Sequence, residues 1–270
     1  MENKLLFAIT TYNDLEYTKI CLDSLKEVKD IDLDIIIIDD YSDDDTINWC
    51  KSNGYKVLER SKPLGLTYSW NEAYKYFKSN NYKYLVISNS DVVIPNNSLS
   101  ELAKVLDKYP SSTVVPISTK KGVGHNPVQD IGNFFPDLKG LSENPNSCQM
   151  VQDSLLSMKE KLKSTKDLYM IDPFRMKHFN GFFFMFSKNV INYEHEDGWI
   201  FNPKNIMTKN EDEFNWQILL PNNDNAWVCR TSFIYHYKDM SCQNTKLKDV
   251  GESEQDFLNE RNRLTQNINK

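Results

Sequence analysis

Short apolar runs separated by amphipathic stretches fill the first 115 residues. LLFAIT (5–10) has the length of a strand, and DIIIIDD (34–40) sets four isoleucines in a row, the pattern of a parallel strand covered on both faces. YKVLE (55–59) and YKYLVIS (82–88) predict two more strands, and STVVP (112–116) closes the alternating region. Between the first two, Leu15, Leu22, Leu25 and Val28 fall near helical spacing behind a cap at Asn13-Asp14. Asp43, Asp44 or Asp45 can cap a second helix through Trp49 and Cys50, with Gly54 at its end in the left-handed position that closes helices. Residues 67–80 and 97–108 read as two further helices, the last closed by Pro110.

Strand and helix in alternation predict an α/β fold, a parallel sheet wrapped by helices, because right-handed crossovers leave few other arrangements. Ligands of such sheets bind beyond the carboxyl ends of the strands. Thr10-Thr11-Tyr12, Asp39-Asp40 and Ser90-Asp91 each follow a strand directly, so three polar clusters are expected on one crevice. That placement gives a reason for YLVISNSDVVIP (84–95), where an apolar run breaks at Asn89-Ser90-Asp91 and then resumes.

The second half is less regular. Gly122, Gly124, Pro127, Gly132, Pro136, Gly140 and Pro145 make residues 116–150 loop-rich, suited to a flap or a substrate lip. HFNGFFFMFSKNVI (178–191) predicts a strand running into a helix start, and WVCRTSFIYHY (227–237) another strand. From about Asp249 the chain is polar, with Phe257, Leu258 and Leu264 as its large anchors, and reads as a surface helix or tail.

Composition narrows the class. With 270 residues, 40% hydrophobic and 26% charged, the chain can bury a core of one domain. Acidic residues outnumber basic ones, 38 to 32, which argues against a broad nucleic-acid footprint. The N-terminal residues lack a signal-like apolar core and no ~18-residue apolar run is present, so a cytoplasmic protein is expected, with peripheral membrane association left open. Cys21, Cys50, Cys148, Cys229 and Cys242 are scattered without a CxxC pair, which reads as buried or idle thiols.

Taken in order, AITTYN, IIIIDDYSDD, LVISNSDVVIP, NGFFFMFS and NEDEFNWQI resemble the successive motifs of family 2 glycosyltransferases of the GT-A fold, over roughly residues 4–240. The resemblance implies a Rossmann-like, mostly parallel sheet. Residues 1–116 would form a nucleotide-sugar-binding half, 117–245 the acceptor-binding and catalytic half of the same domain, and 246–270 a polar tail. It further implies that Thr10 and Tyr12 contact the nucleotide base, that Asp40 of the Asp39-Asp40 pair binds base or ribose, and that Asn89 and Ser90 lie on the nucleotide. Asn180-Gly181 would line the acceptor and donor sugar. Asp91 would hold a divalent cation, Mn2+ or Mg2+, with His236 of YHYKDMS as a second ligand; the family's usual motif has two aspartates, and here Asn89 replaces the first. Asp212, flanked by Glu211 and Glu213, would be the general base, its neighbours raising its pKa by repulsion.

Each stretch also has a plainer reading from its residues alone: Thr10 to Asn13 as a strand end entering a helix cap, Asp39-Asp40 as a solvated turn, His236 as a structural histidine, and the three acids as a helix start. His125 in GVGHNP can line the acceptor site, and Arg60 and Lys62 in ERSKPLG can add charge near phosphates or form a solvated surface pair. The activity implied is transfer of a sugar from a nucleotide diphosphate sugar, with UDP favoured, to an acceptor hydroxyl on a glycan or other molecule. Two rivals stay open. One is a catalytically degenerate GT-A binding module, favoured by the single acid of Asn89-Ser90-Asp91; the other is a nucleotidyltransferase, which would carry a glycine-rich basic loop after strand one, where AITTYNDLEY has no glycine.

Overall fold

The computed structural model describes residues 4–123, 127–161, 168–170, 179–204, 214, 219 and 226–238. Its centre is an eight-stranded sheet in the order β3-β2-β1-β4-β8-β6-β9-β7. These strands are β1 (Leu5–Thr11), β2 (Leu33–Asp39), β3 (Lys56–Leu58), β4 (Tyr84–Asn89), β6 (Thr113–Ile117), β7 (Leu168–Met170), β8 (Phe183–Ser187) and β9 (Ala226–Phe233). A second, two-stranded antiparallel sheet pairs β5 (Val92–Val93) with β10 (Tyr235–His236).

The first four strands are parallel neighbours, β1 running between β2 and β4 with Thr10 opposite both Ile38 and Asn89. Chain order reverses at β1: the path goes outward to β2 and β3, then returns to β4 on the other side. Crevices at such a reversal are where ligands of α/β sheets sit. Two strands depart from the expected parallel order: β7, antiparallel to β9 at the edge, and β8, which lies antiparallel between β4 and β6. For β8 the departure is central. Its pairing partners are about 70–100 residues away in sequence, so neither its place nor its direction is encoded in the local pattern.

Helices α1 (Leu15–Lys26), α2 (Thr46–Ser52), α3 (Leu66–Lys78), α4 (Ser98–Lys108) and α8 (Cys148–Lys161) cover the sheet, with short turns of helix α5 (Lys120–Val123), α6 (Ile131–Phe134) and α7 (Lys139–Ser142) in the loop-rich stretch. Period-two alternation divides the core. Leu6, Ala8, Phe184 and Phe186 face one side with Trp70, Tyr74 and Phe77 of α3, while Leu5, Phe7, Ile9, Phe183 and Met185 face the other with Leu22, Leu25, Leu99 and Leu102 of α1 and α4. Full burial of side chains of this size contributes about 1.5–3 kcal/mol each, so both faces anchor the strand ends that carry the polar clusters.

Helix α8 was not anticipated. Its Val151 and Leu155 are fully buried, and so is Gln152, whose amide donates to the Thr231 carbonyl and whose carbonyl accepts from the Phe233 amide. Those two β9 groups lie where the β6–β9 register slips between Pro116 and Ile117, and Gln152 satisfies backbone that the irregular ladder leaves over. Cys21, Cys50, Cys148 and Cys229 are buried and free of disulfides. Among the described residues no helix is long and apolar enough to cross a membrane.

Candidate active site

The polar clusters after β1, β2 and β4 meet at the carboxyl edge of the sheet. Thr10 Oγ1 donates to the Ser88 carbonyl (3.2 Å), the Asp40 amide donates to the Thr11 carbonyl (3.0 Å), and the Asn89 amide donates to the Phe182 carbonyl (2.8 Å), so the ends of β1, β2, β4 and β8 are tied to one another. The turns after β1 and β2 interlock further. Asn13 donates its amide to Ser42 Oγ (2.8 Å) and accepts through Oδ1 from the Asp43 amide (2.8 Å), while Asp39 accepts from both the amide and the hydroxyl of Ser42. Burial pushes the Asp39 carboxyl up, with the neighbouring Asp40 charge adding to it against the bonds from Ser42.

Asp40 accepts from Arg60 Nη1 (2.6 Å) and the Leu64 amide (2.9 Å) at Oδ1, and from the Gly65 amide (2.8 Å) at Oδ2. This carboxylate therefore holds the loop that leads into α3. Arg60 is engaged here rather than standing as a loose phosphate-side cation, because pairing with Asp40 in a half-closed loop is the shorter and less solvated contact.

After β4 the chain turns through Asn89-Ser90-Asp91 into β5, which pairs with β10 and brings His236 back to Asp91. Ser90 is fully buried, and its hydroxyl donates to Asp14 Oδ2 (2.5 Å) instead of facing the crevice. Asp14, expected as a helix cap, makes no side-chain cap bond to α1. Burial, together with the charges of Asp91 and Asp44, pushes its carboxyl up to about 7, although the Ser90 hydroxyl pulls the other way.

Asp91 and His236 are 1% and 5% exposed, and Asp91 Oδ1 lies 3.2 Å from His236 Nε2. His236 Nδ1 is 2.8 Å from the Gly122 carbonyl, which can only accept, so Nδ1 carries the hydrogen and Nε2 is the nitrogen turned toward Asp91. Phe182 stacks on the imidazole at 4.3 Å between centroids and 9° between planes, which fixes the ring. A carboxylate oxygen and an imidazole nitrogen that face each other this closely require a proton or a cation at hand. Oxygen plus imidazole nitrogen, with the second ring N–H on a backbone carbonyl, is the donor set and outer support of a divalent metal site. Among the described residues no group of three or more His, Cys, Asp or Glu is gathered for a metal.

Asn180 and Gly181 stand just ahead of β8. The Asn180 amide (2.6 Å) and side-chain nitrogen (3.2 Å) both donate to Gln129 Oε1, and Gln129, fully buried, donates in turn to the Pro116 carbonyl (2.9 Å). Through Ser118, whose amide donates to the Gln129 carbonyl (2.8 Å), this group adjoins Gly122 and hence His236. Glu211, Asp212 and Glu213, with His125, lie outside the described residues. Thr10, Tyr12, Asp40, Asn89, Asp91, His236, Asn180 and Gly181 thus belong to linked turns on one edge of the sheet. Asp14, Gly122, Gln129 and Phe182 were not foreseen as site residues; the signals available were an acid directly after Tyr12-Asn13 and a glycine among the polar turns.

A mostly parallel sheet flanked by helices, with its strand order reversing at β1, is the GT-A glycosyltransferase architecture. The description Glycosyl transferase family 2 matches residues 7–193, and the chain belongs to that family. Among solved structures it is similar to mannosyltransferase PcManGT from Pyrobaculum calidifontis in complex with GDP-Man and Mn2+, at 13% identity and TM-score 0.56 over 89% of this chain and 59% of that one. It is also similar to GalNAc-T7 with UDP, GalNAc and Mn2+ (15%, TM-score 0.58, covering 87% and 44%) and to S. aureus TarS 1-349 in complex with UDP (16%, TM-score 0.53, covering 86% and 60%). This chain spans less than two thirds of the length of each. No curated protein matches it in sequence.

Proposed function

We propose that the protein transfers a sugar from a nucleoside diphosphate sugar, UDP being the favoured nucleotide, to an acceptor hydroxyl in glycan or polysaccharide assembly, with inversion at the anomeric carbon. The observation that carries this reading is the buried Asp91–His236 pair, 3.2 Å apart at the strand-order reversal of a family 2 chain. The nucleotides of the similar structures, GDP-Man in one and UDP in two, support a nucleoside diphosphate donor, and the Mn2+ of two of them supports the metal.

Thr10, Tyr12, Asp40 and Asn89 line the nucleoside side of the crevice in this reading, while Ser90 acts through Asp14 to set the Asn89–Asp91 turn. Asn180 and Gly181, held by Gln129, take the sugar and acceptor side. Asp212 accepts the acceptor proton as that oxygen bonds to the anomeric carbon and the bond to the diphosphate breaks; Glu211 stands beside it. A divalent cation held by Asp91 and His236 supplies positive charge to the departing diphosphate when bound.

Thermal stabilisation by UDP, GDP, CDP and dTDP, each with and without Mn2+, tests the reading on wild type and Asp91→Asn. The expected result is a metal-dependent rise in melting temperature with one nucleotide, lost in the variant, since a ligand of the native state stabilises it by mass action. No response to any nucleotide sinks it. Asp212→Asn should keep the nucleotide response while turnover falls ~10²–10⁴-fold. The acid missing at Asn89 favours a second reading, a non-catalytic glycan- or partner-binding module, which would release no nucleoside diphosphate from any donor.

A further inference from the structure

We infer that Tyr41 is a base-stacking residue of the donor site, an inference that rests on the nucleotide-sugar reading above. Tyr41 lies between Asp40 and Ser42, just past the carboxyl end of β2. Its side chain is 48% exposed, and its backbone is left-handed at φ 75°. For a residue with a Cβ and a ring that conformation is strained, and glycine is the residue that adopts it freely. Among the described residues the other non-glycines at positive φ are Asn13, Asn97 and Lys238, so Tyr41 is the one aromatic held this way.

The surroundings explain the backbone but not the ring. On one side the Asp40 amide is fixed to Thr11 and the Asp40 carboxylate to Arg60, Leu64 and Gly65. On the other, Ser42 is fixed by Asp39 through amide and hydroxyl and by the Asn13 amide. Every one of these bonds is made by backbone or by neighbouring side chains, so glycine at position 41 would keep them all and lose the strain. A large ring retained at a strained position and left half in water contributes little to the core. Strain that the fold does not need is a pointer to function.

The setting also selects the ligand. Asp39, Asp40, Asp43, Asp44 and Asp45 crowd this turn, which disfavours phosphate. A neutral planar heterocycle suits the exposed face of the ring, and N–H donors on it suit the acidic turn. The Asp91–His236 pair follows β4, two strands from β2, so about 10 Å separates the two ends of the crevice. That span lets one nucleoside diphosphate place its base at Tyr41 and its phosphates at the cation.

The test measures affinity for whichever of UDP, GDP, CDP and dTDP stabilises wild type most, in Mn2+, with inorganic diphosphate as a base-free probe. Tyr41→Gly and Tyr41→Asn, both compatible with the left-handed backbone, should weaken the nucleotide roughly 5- to 150-fold, the loss of one base–aromatic stack. Inorganic diphosphate should bind them as it binds wild type, Tyr41→Phe should bind the nucleotide within about twofold, and the ligand-free Tyr41→Gly protein should melt no lower than wild type. Nucleotide binding that is equal in wild type and both small variants overturns the role of Tyr41 alone. So does an equal loss of inorganic diphosphate, or a ligand-free Tyr41→Gly that melts several degrees lower, since the ring would then be part of the fold. A wild type that ignores all four nucleotides overturns the donor reading and this inference with it.

Discussion

At the scale of single residues, Gly122 shows how closely the site is packed. A Cβ there would lie 2.8 Å from Ser118 Oγ and 3.0 Å from both His236 Cβ and Thr119 Oγ1, while the Gly122 carbonyl accepts from His236 Nδ1. Of the neighbours that must yield, His236 is fixed by its stack on Phe182 and Thr119 Oγ1 by the Gly122 amide it accepts from, while the Ser118 hydroxyl can rotate. Gly122→Ala should therefore cost ~1–3 kcal/mol, as overpacking of a close-fitted interior does. It should also weaken Mn2+-dependent nucleotide binding by displacing the imidazole. A urea midpoint and a nucleotide titration equal to wild type would show that the contact relaxes freely. Gly122 was legible from sequence as a turn residue only; that it abuts His236 depends on a return of the chain 114 residues later. That Asp91 sits at a sheet edge was legible because it breaks an apolar run directly after a strand, while its approach to His236 was suggested only through the family resemblance.

At the scale of elements, legibility follows contact range. Strands β1, β2 and β4 announce themselves because central parallel strands are apolar on both faces, whereas β8 has the same apolar character but an antiparallel place that only tertiary packing sets. Helix α8 carried a readable stripe, Val151, Leu155 and Met158, but Gln152 on its buried side and the nearby prolines and glycines masked it. Asn71 is the comparable polar residue of α3, set beside Trp70 and Tyr74 and fully buried. Its Nδ2 donates to the Phe201 carbonyl (2.8 Å), and its Oδ1 accepts from the Ile200 (3.2 Å) and Phe201 (3.1 Å) amides, so a helix side chain stands in for a strand partner. Asn71→Ala strands three buried backbone groups, each worth ~1–3 kcal/mol when left without a partner, and should destabilise the protein by on the order of 3 kcal/mol once water re-enters. An unchanged urea midpoint would mean that the segment around Phe201 repacks without this clamp.

At the scale of the whole molecule, the carboxylates fall into two groups whose opposed shifts set stability against pH. Burial works against ionised Asp34, Glu101 and Asp107, yet Lys4 and Tyr82, then Lys104, Lys159 and Thr231, then Lys83 and Tyr84 hold them below their ordinary values; Lys78 and Tyr74 do the same for Glu194. These four stabilise the fold above their unfolded pKa values, and that contribution is lost as pH falls through the lowered ones. Asp14 is shifted the other way, from 3.8 to about 7, by burial first and then by Asp91 and Asp44. Between those two values the native state holds a proton at Asp14 that the unfolded chain has released, so stability falls as pH rises across that window. Asp39, raised chiefly by burial, adds in the same direction. Metal-free protein, kept so with a chelator, should therefore reach its highest urea midpoint near pH 5 and lose stability toward pH 7, the reverse of a chain whose acids are all paired. Asp14→Asn keeps an acceptor for Ser90 without the titration, and should flatten the decline. A midpoint that climbs steadily from pH 5 to pH 8 in wild type and variant alike would mean that Asp14 is ionised in the native state at neutral pH. The Asn89–Asp91 turn would then carry a second full negative charge beside Asp91.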